Sequence, residues 1–202
     1  MKKIAWTAFL ICLSVFSYGQ HRVQISYDLP ETEILSWNAD SIAPYKIIDG
    51  YLQKVDVYQC PGKSKDEIYN GVFAYLANAL GNMKKYVQDK DREAGKITVS
   101  WVQEGKIPIN KILSLPYECG HVMTVETKEG RMRITHNLHT LIYGGGYFEN
   151  LITECYPITP PRKKKPNSWE KRFPNMIRLE MTANEVLNRR ILESISREND
   201  EW

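Results

Sequence analysis

Cys119, His121 and His136 come closest, by type and spacing, to a reactive or metal-binding set in this chain. Cys119 and His121 stand two apart, the step that returns a strand side chain to the same face. Strands are predicted at about 119–127 and 131–143, joined across Glu129-Gly130, a two-residue turn signal. If Lys128 then faces Arg131, His136 lies opposite Met123 and becomes the diagonal neighbour of His121. Thiolate and imidazole are usual zinc ligands. Diagonal cross-strand neighbours lie about 7–8 Å apart, close enough for two side chains to converge. The same three residues could instead form a thiol–imidazole nucleophile pair, or be buried structural residues. A metal site would need a fourth ligand or a water position that the sequence does not supply. In this register His139 points to the opposite face.

Other stretches offer binding chemistry. Arg162, Lys163, Lys164 and Lys165, followed by Trp169, Lys171 and Arg172, form the strongest local charge feature. Contact with an anionic surface is one reading and a solvated, proline-stiffened loop is the other. Tyr143, Tyr147 and Phe148 flank Gly144-Gly145-Gly146 and could stack on a sugar or peptide, or close the end of the core. The glycines themselves lack the strand-to-helix context of a phosphate-binding loop. The chain has no Gly-x-Ser-x-Gly elbow, no His-Glu-x-x-His helix and no paired carboxylates on neighbouring strands.

These residues depend on the elements that hold them. The hairpin register puts Met123, Val125 and Thr127 on one face with Met132, Ile134, His136 and Leu138. Glu126 with Arg133, and Thr124 with Thr135, fall on the other, each such pair contributing about 0.2–1 kcal/mol. A slip of one residue would mix the two sets. Val125 and Ile134 should therefore look inward. A helix is expected at about 64–83, opened by the capping pattern Ser64-Lys65-Asp66-Glu67 and carrying Ile68, Val72, Tyr75, Leu76, Ala79, Leu80 and Met83 at three- and four-residue steps. A second is expected from Thr182-Ala183-Asn184-Glu185, with Val186, Leu187, Ile191, Leu192 and Ile195 as its stripe. Further strands are expected at 52–60, with Val55 and Val57 on one face and Tyr58 on the other, at 84–90 and at 96–104. Residues 144–174, with five prolines, read as a long connection. The economical arrangement is α+β, an antiparallel sheet with two helices packed on one face.

The first nineteen residues have a basic start, an apolar stretch from Ile4 to Phe16 and a small-x-small ending at Ser17-Tyr18-Gly19, a secretory signal peptide with cleavage expected after Gly19. Residues 20–50 read as an N-terminal extension able to pair at a sheet edge, and 51–202 as a single domain. No later segment approaches the length needed to span a membrane. With 202 residues, 43% hydrophobic and 25% charged, the chain is neither disordered nor disulfide-dense. The formal charge is +3, and loss of Lys2 and Lys3 leaves 25 basic against 24 acidic residues, near +1. Cys60, Cys119 and Cys155 would remain, as one bridge and one free thiol or as three separate thiols.

The run Val55-Asp56-Val57-Tyr58, then Pro61-Gly62-Lys63-Ser64-Lys65-Asp66-Glu67-Ile68-Tyr69, with Gly95-Lys96-Ile97 after the helix, resembles a family of exported gut-bacterial proteins. That family is a domain of unknown function with a TATA-box-binding-protein-like fold, and the resemblance covers roughly residues 50–140. It implies a fold and a location but no catalytic residue. Nucleic acid is not expected as a partner, because a mature charge near +1 gives no electrostatic footprint for it. The function expected is non-enzymatic binding of a protein or glycan of the cell envelope, in the periplasm or beyond, without a cofactor. The alternative is a metal- or thiol-dependent enzyme using Cys119, His121 and His136.

Overall fold

The computed structural model describes residues 22–23, 45–81, 83–108, 114–143, 148–151 and 173–197. In chain order the elements are β1 (Arg22–Val23), β2 (Lys46–Ile48), β3 (Tyr51–Gln59), α1 (Lys65–Leu80), α2 (Met83–Tyr86), β4 (Val87–Asp91), β5 (Lys96–Pro108), β6 (Ser114–Lys128), β7 (Arg131–Tyr143), β8 (Phe148–Leu151) and α3 (Phe173–Arg197). The strands form one sheet of order β1-β5-β6-β7-β3-β2, with β4 also on β5 and β8 also on β7. All pairings are antiparallel except β1 with β5, where Arg22 pairs with Val102. The two-strand edge at β2 and β3 is closed by Asp49-Gly50, both with positive φ (50° and 79°), as a two-residue hairpin matched to strand twist requires.

The β6–β7 register is the one the turn implies: Lys128 faces Arg131, Met123 faces His136 and Val125 faces Ile134. Val125 and Ile134 are fully buried, so the inward face is the expected one. The register shifts between Cys119 and His121. His121 opposes Leu138 while Cys119 opposes Leu141, so His139 and Thr140 share the place of Gly120. Leu138 and Leu141 thereby both reach the inner face, and both are fully buried.

Ser64 caps α1 as its sequence pattern predicts. Its Oγ accepts from the Glu67 backbone N–H at 3.2 Å, and Glu67 Oε2 accepts from the Ser64 N–H at 2.7 Å. Ile68, Val72, Leu76 and Leu80 turn inward and join Ile97, Val99, Trp101, Met123, Val125, Met132 and Ile134 of the sheet and Leu187, Ile191 and Ile195 of α3. A second apolar cluster gathers Leu52, Tyr117, Cys119, Leu138 and Leu141 beneath Met176, Ile177 and Met181. Both helices thus cover the same face, and α3 bridges the two clusters.

Three sequence expectations need correction. The second long helix begins at Phe173, not Thr182. Thr182 is mid-helix and its hydroxyl donates to the Arg178 carbonyl at 2.9 Å, the side chain's usual alternative to capping. Pro174 is a first-turn residue of the helix, where its missing N–H costs nothing. The segment expected as a polar strand at 84–90 begins as the short helix α2, and only Val87–Asp91 pairs with β5. A short strand, β8, lies within the stretch read as connection and pairs with the end of β7. Among the described residues no helix is long and apolar enough to cross a membrane.

Candidate functional site

Helix α3 presents a polar row to the sheet. Glu180, Asn184 and Asn188 recur at four-residue steps and are each 2% exposed or less. Residues four apart share a helix face, so this row runs alongside the apolar stripe of Ile177, Met181, Leu187 and Ile191. Each polar side chain meets a counterpart on the sheet side. The Tyr117 hydroxyl donates to Glu180 Oε1 at 2.5 Å, and His121 Nε2 is 2.8 Å from Glu180 Oε2. Asn184 Nδ2 donates to the Tyr45 hydroxyl at 3.3 Å. Asn188 accepts from His136 Nε2 at 2.7 Å and donates to the Tyr58 hydroxyl at 3.0 Å and Asp56 Oδ2 at 3.4 Å. Lys54, beside them on β3, lies 3.2 Å from Asp56 and pairs with Glu185 of α3.

The strands set these side chains by close approach. Tyr117 lies opposite Gly105, and a Cβ on Gly105 would come within 2.4 Å of the Tyr117 hydroxyl oxygen. Gly105 is bare so that the ring can cross β5 to reach Glu180. Trp101, opposite His121, stacks on the imidazole with ring centroids 4.9 Å apart and planes 13° apart. His121 is therefore fixed both in plane and at its Nε2.

Of the three residues singled out by spacing, the structure brings together Cys119 and His121, with Glu180 as the third member. Their ligand-type atoms lie within 4.8 Å of one another, all buried. His136 shares the face but is engaged by Asn188. Sequence spacing missed Glu180 because the helix was expected to start after it; the clue was its place one turn before Asn184 and two before Asn188. Nitrogen and oxygen ligands held tetrahedrally at about 2.0–2.1 Å from one zinc stand roughly 3.3 Å apart. The 2.8 Å between His121 and Glu180 is instead a hydrogen-bond distance, so a metal would have to replace that bond. Burial and the nearby Glu180 carboxylate push the Cys119 thiol well above its ordinary range, which removes the thiolate that nucleophilic chemistry needs. Cys60 and Cys119 are both buried free thiols, in different clusters.

The opposite face of the sheet carries different chemistry. Its described side chains include hydrogen-bonded pairs such as Thr98 with Thr124 and Gln53 with Asn137, and the ion pair Arg133–Glu126. On β3 the alternation places Lys54 and Asp56 inward and leaves Val55 and Val57 outward, 46% and 58% exposed. Ile48 and Tyr51 continue that row, and all the exposed large apolar residues among those described belong to β2 and β3. Of the aromatic and basic candidates, Tyr143 and Phe148 are partners in the β7–β8 register. Tyr147, Arg162, Lys163, Lys164, Lys165, Trp169, Lys171 and Arg172 lie outside the described residues, as does Cys155.

Residues 55–138 match the model of a family described as a domain of unknown function (DUF4468) with TBP-like fold. Among solved structures, a TBP-like protein from Parabacteroides distasonis is similar with a TM-score of 0.57 and 15% identity, over 77% of this chain and 97% of that one. A DUF4468 family protein from Bacteroides ovatus gives a TM-score of 0.61 at 14% identity, over 78% of this chain and 94% of that one. At such identities the likeness is one of fold. No curated protein matches the chain.

Two outcomes follow from the polar row. Glu180→Ala leaves the Tyr117 hydroxyl and His121 without their buried partner and should cost about 3–5 kcal/mol, measured by urea unfolding. His136 is held neutral, its pKa pushed down to about 3 by burial, then by its neighbours His121 and Lys54, against the opposing pull of Asn188. A depressed histidine pKa means the unfolded chain binds the proton first, so stability should fall as pH drops from about 6.5 towards 3, by up to the order of 4 kcal/mol. His136→Gln should flatten that slope; an unchanged slope would assign the acid sensitivity to other groups.

Proposed function

We propose, for a chain whose residues 55–138 match the model of the DUF4468 family with TBP-like fold, that it is an exported, non-enzymatic binding domain of the cell envelope and takes a protein partner on the face of its sheet that no described helix covers. The observation that carries this is that Val55, Val57, Ile48 and Tyr51 fall on that face at the β2–β3 side, Ile47 alone of the exposed large apolar residues described falling on the other, which both long helices cover. Exposed large apolar residues scattered singly need no explanation, but two adjacent pairs on one face, Val55 with Val57 and Ile48 with Tyr51, separated by Gln53, make a grouping of the kind that marks an interaction surface. The aliphatic character favours a protein over a glycan, which aromatic platforms would suit better. The signal-peptide pattern of residues 1–19 supports delivery to the envelope. The 162–172 basic stretch would add charge to the same partner contact.

The test is a paired one. Val55→Thr with Val57→Thr keeps β-branched shape on exposed positions and should leave the unfolding midpoint within a few degrees. Capture of a defined envelope protein by the purified domain, identified by mass spectrometry and remeasured with the isolated pair, should be lost in the double variant; undiminished affinity would remove the face from the proposal.

A second reading, a metal-dependent activity, has one observation in its favour: the buried Cys119, His121 and Glu180 set. A divalent transition metal would displace the Cys119 proton, and the resulting thiolate with the Glu180 carboxylate would balance its charge. Metal analysis of protein purified without an affinity tag should find near-stoichiometric zinc or a similar ion under this reading, lost in Glu180→Gln; a metal-free, fully folded protein rejects it.

A further inference from the structure

We infer that the hairpin end of the sheet face that no described helix covers is an anion site that receives a carboxylate of an extended, acidic segment of the protein partner; this rests on the reading of that face given above. Lys128 and Arg131 oppose each other directly where the β6–β7 hairpin closes. Like charges at opposed cross-strand positions destabilise a sheet, so the pair is held against a cost that binding would offset. Neither has a carboxylate partner among the described residues, whereas Arg133, one step along, binds Glu126 through Nε at 2.6 Å and Nη2 at 2.5 Å. Three cations therefore surround one carboxylate that is already engaged.

These four side chains, with Val57 and Met132, line a cleft of about 230 Å³. Small-molecule sites usually run from about 300 to 1,000 Å³, so the cleft suits a single side chain better than a cofactor. Val57 forms part of its wall and continues into Val55, and Val57 and Arg133 are cross-strand partners. The face thus offers an apolar row ending in unmatched positive charge. A strand-like segment with aliphatic residues at two successive positions of one face and an acidic residue at the next position of that same face complements both. A sulfated glycan or an anionic headgroup would match the charge but leave Val55 and Val57 without an apolar partner.

The probe is the peptide acetyl-Val-Ser-Val-Ser-Asp-amide, whose two Val and one Asp share a face when extended, titrated into isotope-labelled protein and followed by amide chemical shifts, beside its isostere with Asn in place of Asp. The acidic peptide should shift Val57, Lys128, Arg131 and Arg133 saturably and bind at least about tenfold tighter than the Asn peptide, as expected for charge-assisted contacts. Lys128→Gln with Arg131→Gln should abolish that preference while leaving the unfolding midpoint unchanged or raised, because the like-charge contact goes with it. Equal binding of both peptides would overturn the anion site and leave the apolar face standing. Binding of neither would overturn both. Stronger saturation of the same amides by a sulfated disaccharide, or by phosphatidylglycerol vesicles, would overturn the assignment to a protein segment.

Discussion

The fold depends on how one helix is keyed to one sheet. An apolar stripe alone would let α3 slide by a turn with modest loss, since Met176, Ile177, Met181, Leu187 and Ile191 are nearly interchangeable in size and all buried. Glu180, Asn184 and Asn188 forbid this. Each is buried, each has its own counterpart among Tyr117, His121, Tyr45, Tyr58 and His136, and a shift by one turn would strand a carboxylate against an unsuited surface. An uncompensated buried charge costs several kcal/mol, far more than the apolar contacts distinguish. The row adds little net stability over an apolar substitute of the same shape; what it confers is one alignment in place of several, the role that buried polar residues serve best in helical packing.

That alignment explains the odd alternation of β3. Charged residues inward and valines outward would be an error on an ordinary half-buried strand. Here the inward side of β3 meets Asn188 and Glu185 of α3, so Asp56, Tyr58 and Lys54 have partners. The outward side then carries aliphatic surface that no described residue of the sheet needs for folding. Stabilising chemistry and candidate recognition chemistry thus occupy opposite sides of the same nine-residue strand.

The legible parts of the sequence were those where two independent local signals agreed. Glu129-Gly130 fixed a turn, and the Glu126–Arg133 and Thr124–Thr135 pairs made sense in one register alone, so the buried positions of Val125 and Ile134 could be read directly. Ser64 and Glu67 did the same for the start of α1. The start of α3 was misread because Thr182 to Glu185 imitates a cap inside a helix, while Phe173-Pro174 looked like the end of a proline-rich connection. Losing one part of that helix hid Glu180, and with it the true partner of His121. For Val55 and Val57 the period of two was clear but its direction was not, because direction is decided by the helix residues packed against the strand. Local sequence does not contain that information.

β7 carries one extra residue opposite Gly120. Between Arg131 and Leu138 even-numbered positions look towards the helices, and beyond the shift the odd-numbered Leu141 does. The strand is therefore written in two frames, and the change of frame falls inside the second apolar cluster, between Leu138 and Leu141. Leu138 and Leu141 pack in the same cluster from the two frames, so the length of the chain between them cannot vary: one residue fewer would send Leu141 to the opposite face.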